Sequence, residues 1–569
     1  MVAVIGPCSP QVISISFICS RMQFNRSFFL FIFLLIFLCF EEKACAIAST
    51  SANIWPMPVE LSIGATTLYL PTTQFNFTTF DASNEKKQVD IDTLNQAYIR
   101  YNEIIFNAHY HTEEDDNPVS SLHFSASVEV YVDNVSEEYP QIDTDESYSL
   151  NIPSEDNGVM RINARTIYGA IRALESLSQL IVYDFDIAKY RIDVAPVVIN
   201  DYPRFLHRGL MLDTARHYQS LAAIKKLVDS MSYAKFNVLH WHIVDTQSFS
   251  FQSVTYPDLW KGAYSQLEKY RQEDISDIVE FARLRGIKVM IEFDMPGHAG
   301  SWCVGYPEIC PSASCLEPLD PSTNATFTLI DNLLAECSNR GAGEGLFPYS
   351  LLHLGGDEVD YSCWEKSDHI QEWAAEQGMQ NSEEIYEYFV DRVAQLTRDQ
   401  QRTPVQWIEV FEHFGSSLDK NTIIHVWKDK KELTDVINAG YQALLSDNHN
   451  WYLDHLETSW KAMYQNEPTE YLDESSDMSL LLGGEVCMWS EKVDVSDLEN
   501  TVWPRAAAVA ERLWTPQVDM DVDRAEARLE AFRCLLLDRG VAVAPVNNLR
   551  ARQAPKAPGS CYHQRRRSL

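Results

Sequence analysis

The stretch that decides the fold runs from residue 207 to residue 245 and reads HRGLMLDTARHYQSLAAIKKLVDSMSYAKFNVLHWHIVD. It holds two short apolar runs, 207–213 and 236–245, which both end in an aspartate and are separated by a segment of helical pattern. A strand that helices cover on both faces has a continuous apolar sequence. The stretch therefore predicts a strand, a helix and a second strand parallel to the first.

The same rhythm continues through the rest of the chain. The further apolar runs that end in polar or charged residues are 287–294, 351–358, 404–409, 422–427, 442–447 and 481–489. Eight such units over about 300 residues predict an α/β fold, a (β/α)8 TIM barrel. A doubly wound open sheet is the alternative, and it is disfavoured because no glycine-rich phosphate loop follows the first strand.

Residues 47–199 have a different pattern and predict a small non-catalytic α+β domain in front of a catalytic barrel at 200–569. Alternating apolar and polar residues indicate strands at 123–133, 146–152 and 158–164. Apolar residues then recur every three or four positions from Thr166 onward, as in an amphipathic helix. Residues 50 to about 120 are polar and irregular, and no strand or helix is predicted there.

The N-terminal segment has the anatomy of a secretory signal peptide. The apolar run FFLFIFLLIFLCF at 28–40 follows two arginines and precedes the small-residue signal Ala44-Cys45-Ala46. It is shorter than the roughly 20 residues that a bilayer span requires, although an uncleaved anchor is the alternative. We expect residues 1–46 to be removed, with Met22 as a possible start. The remaining chain would have no membrane span.

Composition narrows the class of partner and the compartment. The 569 residues carry 46 Lys and Arg against 81 Asp and Glu, a net charge of −35, which disfavours nucleic acid and anionic membranes as partners. A signal peptide predicts the secretory pathway, with a lysosome, a vacuole or the cell exterior as the destination. Glycosylation is then expected at the three N-x-S/T sequons that follow residue 46, which begin at Asn76, Asn134 and Asn324.

The predicted strand ends carry the chemistry, because a TIM barrel builds its active site there. The polar and aromatic residues at these ends are Arg208, Asp213, Asp245, Asp294, His298, Asp357, Glu358, Trp407, Glu409, Trp427, Asp447, Trp489 and Glu491. Carboxylates beside flat tryptophan faces suit a sugar ring, which has apolar faces and polar edges.

His240 and His242 lie on one face of a predicted strand and admit two interpretations. With Asp245 they offer three ligands for zinc, which would make the protein a zinc hydrolase. The favoured interpretation is a pair of hydrogen-bonded histidines in the barrel interior, because a further ligand at a recognisable spacing is missing. We therefore predict no metal and no cofactor.

Several motifs together resemble family-20 glycoside hydrolases, the β-N-acetylhexosaminidases. These motifs are HRGLMLDTARH (207–217), HWHIVD (240–245), EFDMPGH (292–298), HLGGDEV (353–359), WYLD (451–454) and GEVCMW (484–489). DESYSL at 145–150 resembles the family's N-terminal domain. The resemblance implies hydrolysis of terminal β-linked GlcNAc or GalNAc from N-glycans, glycolipids or chitin oligomers. A homodimer is also possible by this analogy.

The resemblance implies substrate-assisted catalysis, in which the 2-acetamido oxygen attacks C1. Glu358 would be the general acid and base, Asp357 would hold the acetamido N–H, and Tyr452 would donate to its carbonyl. Crowding by Asp357 is expected to keep the pKa of Glu358 raised. Asp245 and His298 would tune the proton of Glu358. The aromatic walls of the pocket would be Trp407, Trp427 and Trp489. The ligands of the ring hydroxyls would be Arg208, Asp454 and Glu491.

Asp357 and Glu358 are neighbours in sequence, and side chains of neighbours on an extended strand point to opposite faces. They can converge on one ligand only if the strand ends and turns before them.

A non-enzymatic sugar-binding protein on the same barrel is the rival hypothesis, and it is disfavoured because the acid Glu358 is present. The resemblance to family 20 also implies that Cys310 or Cys315 pairs with Cys363, and that Cys534 pairs with Cys561. Cys487 is expected to be a free buried thiol.

Overall fold

The computed structural model describes residues 52–70, 75–84, 86–106, 123–124, 127–155, 158–184, 189–338, 345–415 and 417–547. The predicted signal peptide and Cys561 lie outside these ranges. Within them, no helix is both long enough and apolar enough to cross a membrane.

The first domain is a mixed sheet with two helices. Its strands are β1 (Glu60–Leu70), β2 (Asn76–Asp81), β3 (Lys87–Gln88), β4 (His123–Phe124), β5 (Ser127–Asn134), β6 (Tyr148–Ile152), β7 (Met160–Thr166), β8 (Val182–Asp184) and β9 (Lys189–Asp201). They pair in the order β3-β2-β5-β7-β6-β9-β1-β4, with β8 on β9. Its helices are α1 (Asp92–Ile105) and α2 (Ile167–Leu180).

The predicted strands and helix of this domain are confirmed, but its first half is not irregular as expected. The long strands β1 and β9 pair antiparallel, and their register shifts between Ile63 and Thr66 and again before Leu68. A bulge of this kind breaks the alternation of apolar and polar residues by which a strand is recognised in a sequence. For this reason the pattern gives no signal for β1.

The second sheet is a closed barrel of eight parallel strands. These are β10 (His207–Asp213), β11 (Val238–Asp245), β13 (Lys288–Phe293), β14 (Leu351–His353), β15 (Thr403–Trp407), β16 (Ile423–Val426), β17 (Ala443–Leu445) and β18 (Leu481–Met488), with a short β12 (Ser248–Phe249) antiparallel to β11. β10 pairs with both β11 and β18, which closes the barrel and excludes the open sheet. The predicted (β/α)8 fold is therefore confirmed.

Helices surround the barrel and link its strands. They are α3 (Leu221–Tyr233), α4 (Gln272–Arg283), α5 (Trp302–Gly305), α6 (Asn324–Ser338), α7 (Ser362–Glu365), α8 (Asp368–Glu376), α9 (Ser382–Asp399), α10 (Glu409–Phe414), α11 (Glu432–Asn438), α12 (Trp460–Gln465), α13 (Leu498–Val502), α14 (Arg505–Trp514) and α15 (Val522–Asp538).

A small apolar cluster lies near the starts of several barrel strands. Val238, Met290 and Leu444 belong to a buried cluster near the start of their strands. Histidines and glutamates fill the interior beyond them, towards the strand ends. Polar groups at the strand ends fit the general rule that catalysis occurs at the C-terminal face of this fold.

Two disulfides lie in the segments that follow β13 and β14. Cys315 pairs with Cys363, as one of the two expected alternatives, whereas Cys310 pairs with Cys303. Cys534 is disulfide-bonded, and its expected partner Cys561 is outside the described residues. Cys487 is a buried free thiol, as predicted.

The three sequon asparagines are exposed on the surface, Asn76 and Asn134 at the ends of strands and Asn324 at the start of α6. Their glycosylation stays a prediction.

Candidate active site

The chain turns sharply between β14 and the Asp357-Glu358 pair. Gly355 and Gly356 have φ angles of +65° and +98°, in the region that favours glycine. A Cβ on Gly355 would lie only 1.8 Å from Oδ1 of Asp294, and the N–H of Gly356 donates to that same oxygen at 3.0 Å. Asp294 thus anchors the turn that ends the strand before the two acids.

Glu358 itself has a φ of +50°, a conformation that costs a residue with a side chain about 1–2 kcal/mol. This twist brings both acids to one side: Nε2 of His298 lies 3.5 Å from Oε2 of Glu358 and 3.7 Å from Oδ2 of Asp357. The two neighbours therefore converge, as expected for a strand that has already ended.

His298 connects the pair to Asp245, the last residue of β11. Nδ1 of His298 donates to Oδ1 of Asp245 at 3.2 Å. Burial opposes a charged imidazole, but the carboxylates of Asp357, Asp245 and Glu358 outweigh it and raise the pKa of His298 well above its ordinary value. The imidazole is therefore a cation between carboxylates.

The two acids differ in their surroundings. The side chain of Glu358 is 61% exposed, and the hydrogen bond from His298 lowers its pKa. Burial raises the pKa of Asp357. The expectation that Asp357 keeps the pKa of Glu358 raised is thus wrong, because the contact with a cationic His298 dominates.

Glu409 and Asp294 are further buried carboxylates beside Asp357. Burial, together with the charge of Asp357, raises the pKa of Glu409 to about 7. Burial and Asp357 also raise the pKa of Asp294 well above its ordinary value. Three carboxylates in one dry region cannot all ionise at low cost, so protons are retained among them.

Aromatic rings surround the space next to these acids. The rings of Trp427 and Tyr452 lie almost parallel, at 18° and 6.3 Å between centroids, and Trp489 is 6.2 Å from Tyr452. The indole N–H of Trp427 donates to Oε2 of Glu409 at 3.0 Å. Burial raises the pKa of Tyr452 well above its ordinary value, so its hydroxyl remains a donor.

Trp407 lies deeper than the other two tryptophans. Its ring stacks on His425 at 4.3 Å and lies 6.2 Å from Trp489, while its N–H donates to Glu292 at 2.9 Å. Trp407 is thus buried beneath Trp489 and packs near its ring.

The expectation for Arg208 is wrong. Arg208 is the second residue of β10, roughly 16 Å before Asp213 at its C-terminal end. It is fully buried, and its guanidinium donates to Glu146 at 2.7 Å and to the carbonyl of Phe205 at 2.9 Å. Arg208 therefore joins the barrel to the first domain and cannot contact a ligand at the mouth.

Arg216, and not Arg208, lies at the C-terminal mouth of the barrel. It follows Asp213 by three residues, and its guanidinium lies 2.7 Å from Asp245, 3.9 Å from Glu491 and 5.0 Å from the ring of Trp489. The sequence held a signal for it, since Arg216 comes after a strand end and Arg208 comes before one.

Asp454 and Glu491 complete the rim. The side chain of Glu491 is 51% exposed beside Arg216. Asp454 is partly buried two residues after Tyr452, and burial raises its pKa. Glu491 thus lies beside Arg216, Asp454 lies close to Tyr452, and their role as hydroxyl ligands stays a prediction.

The histidines of β11 lie inside the barrel and are hydrogen-bonded to carboxylates. His240 Nδ1 contacts Glu485 at 2.7 Å. His242 contacts Glu292 at 2.6 Å through Nδ1 and Asp245 at 2.8 Å through Nε2. Although burial acts in the other direction, the bonds from His242 and His298 lower the pKa of Asp245, which stays ionised.

The comparisons with known proteins agree with this arrangement. The family model described as "Glycosyl hydrolase family 20, catalytic domain" matches residues 205–517, and the model "beta-acetyl hexosaminidase like" matches residues 54–180. "Beta-hexosaminidase 1" of Arabidopsis thaliana is 42% identical over 532 residues, which cover 91% of this chain and 95% of that protein.

More distant relatives also match over most of the chain. "Beta-hexosaminidase subunit beta" of Homo sapiens is 34% identical over 514 residues, 88% of this chain and 89% of that protein. The chitobiase structure of Flavobacterium johnsoniae superposes with a TM-score of 0.72 at 29% identity, covering 86% of this chain and 73% of that one. With both domains and the acidic site in place, the chain belongs to glycosyl hydrolase family 20 and is a glycoside hydrolase.

Proposed function

We propose that this glycoside hydrolase is an exo-acting β-N-acetylhexosaminidase that releases terminal GlcNAc or GalNAc with retention, by substrate-assisted catalysis. The observation that carries the proposal is the convergence of Asp357 and Glu358 on one imidazole. A retaining enzyme with its own nucleophile holds two carboxylates on opposite sides of the bond. Two consecutive acids on one side instead support a nucleophile that comes from the substrate.

In the first step, the acetamido oxygen attacks C1, the bond from C1 to the leaving oxygen breaks, and Glu358 gives its proton to that oxygen. Asp357 accepts a hydrogen bond from the acetamido N–H and stabilises the positive charge of the oxazolinium ion. Tyr452 donates to the acetamido carbonyl and so orients the attack.

In the second step, Glu358 takes a proton from water while that water attacks C1 on the face that the leaving group left. The bond from C1 to the acetamido oxygen breaks, which restores the acetamide and the protonated acid. Two displacements at C1 leave the β configuration unchanged.

The remaining residues of the site bind and orient the sugar. Trp427 and Trp489 flank Tyr452 and supply apolar faces for the ring and the acetamido methyl group. Arg216, Asp454 and Glu491 supply charged partners for ring hydroxyls. His298 contacts Glu358 and controls its charge, and Asp245 holds the imidazole of His298 through a hydrogen bond.

The substitution Glu358→Gln tests the acid. Activity on chitobiose should fall by about 10²–10⁴-fold, the usual contribution of a general acid. Asp360→Asn, at an exposed acid two residues further on, is the matched control and should leave turnover unaltered. A thiazoline analogue of the oxazolinium ion should inhibit the wild type strongly and Asp357→Asn weakly. Survival of activity in Glu358→Gln, or no inhibition by the thiazoline, would overturn the proposal.

We also infer that the protein matures in the secretory pathway. The disulfides Cys303–Cys310 and Cys315–Cys363 support an oxidising compartment, since cytosolic thiols are kept reduced. N-terminal sequencing of the purified protein tests this inference. A mature N-terminus near residue 47 is expected, and an intact start at Met1 or Met22 would contradict it.

A further inference from the structure

Glu317 lies on the segment between α5 and α6 and has no part in the mechanism above. Its half-buried carboxylate accepts hydrogen bonds from two other segments of the chain. Oε2 accepts the N–H groups of Ala299 at 2.7 Å and of Gly300 at 2.8 Å, on the segment that follows β13. The hydroxyl of Thr246, directly after β11, lies 2.8 Å from Oε2 and 3.0 Å from Oε1. One carboxylate thus joins the segments that follow β11 and β13.

We propose that Glu317 is a positioning residue for the reaction: it holds the neighbours of Asp245 and His298 together and so keeps the imidazole against the acid. The inference rests on the proposed function and deepens it, because it adds a residue that acts through His298. Glu317 would then set the pH dependence of the reaction through the geometry of that histidine.

The backbone of His298 is the first support. Its φ is +52°, a left-handed conformation that costs a residue with a side chain about 1–2 kcal/mol. Such a conformation persists only where the surroundings hold it. Successive N–H groups beside a left-handed residue form a concavity that binds anions, and Glu317 accepts the two N–H groups that follow His298. Glu317 therefore stabilises the turn from which the imidazole reaches Glu358.

The link to Asp245 is the second support. The N–H of Thr246 donates to Oδ1 of Asp245 at 2.6 Å, and Nδ1 of His298 donates to the same oxygen at 3.2 Å. These two bonds, the hydroxyl of Thr246 and the N–H of Ala299 complete a ring of hydrogen bonds that begins and ends at Glu317. A polar network whose members are all bonded is rigid, so the ring restricts where the imidazole lies.

The attachment of Glu317 to the rest of the site is the third support. Cys315, two residues earlier, forms a disulfide with Cys363 in α7, the helix that follows the two acids. The N–H of Leu319, two residues later, donates to the carbonyl of Pro296 at 3.0 Å, just before the histidine. The carboxylate therefore projects from a segment that is fixed both to the chain of the acids and to the chain of the histidine.

The test is the pH dependence of kcat/KM on chitobiose in Glu317→Ala. We expect the alkaline limb to move to higher pH, because a displaced imidazole no longer lowers the pKa of Glu358, and the maximal value to fall about tenfold. Loss of the negative charge by itself would move the limb to lower pH, since it favours the ionised acid. The direction of the shift thus separates a change of position from a change of charge.

Three further variants accompany Glu317→Ala. Glu317→Gln loses the charge but keeps an acceptor for the two backbone N–H groups, so its limb should not move to higher pH. Glu317→Ala added to His298→Gln should leave the limb where His298→Gln puts it. Glu308→Ala, at an exposed glutamate earlier on the same segment, is the matched control and should leave the profile unaltered.

A limb that stays in place or moves to lower pH in Glu317→Ala would overturn the inference, even if the variant is less stable, and so would a further shift in the double variant. If Glu317→Ala fails to fold, Thr246→Val removes one bond of the ring and should move the limb to higher pH, and an unmoved limb there would overturn the inference. Failure of the proposed function looks different: the wild type would not turn over chitobiose, or Glu358→Gln would remain active.

Discussion

Nε2 of His298 lies 3.5 Å from Oε2 of Glu358, and this contact lowers the pKa of the proposed acid. A general acid acts only while protonated, so activity on the free enzyme falls as pH rises through that pKa. A lowered pKa places this fall at lower pH. We therefore expect kcat/KM to fall at a lower pH than it would with an unpaired glutamic acid.

Removing the imidazole should reverse this effect. In His298→Gln the cation is gone, so the pKa of Glu358 should rise and the alkaline limb of the kcat/KM profile should move to higher pH, while the maximal rate falls. The measurement is the pH dependence of kcat/KM on chitobiose. His369→Gln, at an exposed histidine, is the control, and a limb that stays or moves to lower pH in His298→Gln would contradict the assignment.

Arg216 and Arg208 should respond oppositely to substitution. Arg216→Lys loses the planar fork at the mouth, and we expect kcat/KM to fall about 10- to 100-fold, as for one or two hydrogen bonds to a charged group. Arg208→Met breaks a buried pair with Glu146 and should lower the free energy of unfolding by about 3–5 kcal/mol. Steady-state kinetics and urea denaturation separate the two effects, and a large kinetic defect in folded Arg208→Met would contradict a purely structural role for Arg208.

Glu409 should make stability depend on pH near neutrality. Its pKa is about 7 in the folded protein and near 4.5 when unfolded, so the folded state binds the proton more tightly. The stability from this group is fully present below pH 4.5 and is lost as the pH rises through 7, on the order of 3 kcal/mol in total.

The substitution Glu409→Gln removes this titration but keeps an acceptor for the N–H of Trp427. The loss of Tm between pH 4.5 and pH 8 should therefore be smaller in Glu409→Gln than in the wild type. Glu412→Gln changes another carboxylate on Lys428 and serves as the control. An equal change in both variants would argue against a special role for Glu409.

The two described disulfides should differ in their contribution to stability. Cys315–Cys363 spans 48 residues and Cys303–Cys310 spans 7, so the entropic model gives about 4 and about 2 kcal/mol respectively. Replacing each pair by serines, with unfolding followed in urea, measures both values. The Cys315/Cys363 variant should also lose activity, because Cys363 lies five residues after Glu358. The reverse order of stabilities would rule out the entropic account.

Local patterns in the sequence determined the barrel and the position of its acids. Continuous apolar runs ending in charged residues mark β10, β11 and the strands that follow, because burial on both faces leaves no alternation to interpret. The neighbouring acids Asp357 and Glu358 could be expected to converge after a strand end, since an extended chain would point them apart.

The tertiary structure decided what depends on distant partners. It placed Arg208 against Glu146 of the first domain and Arg216 at the mouth, which the shared motif alone does not separate. It paired Cys310 with Cys303 in a disulfide. It also placed His298, which lies 60 residues earlier in the chain, next to Glu358, where it lowers the pKa of that side chain. Partner choice and pKa are properties of neighbours in space, and a linear pattern records neighbours in sequence.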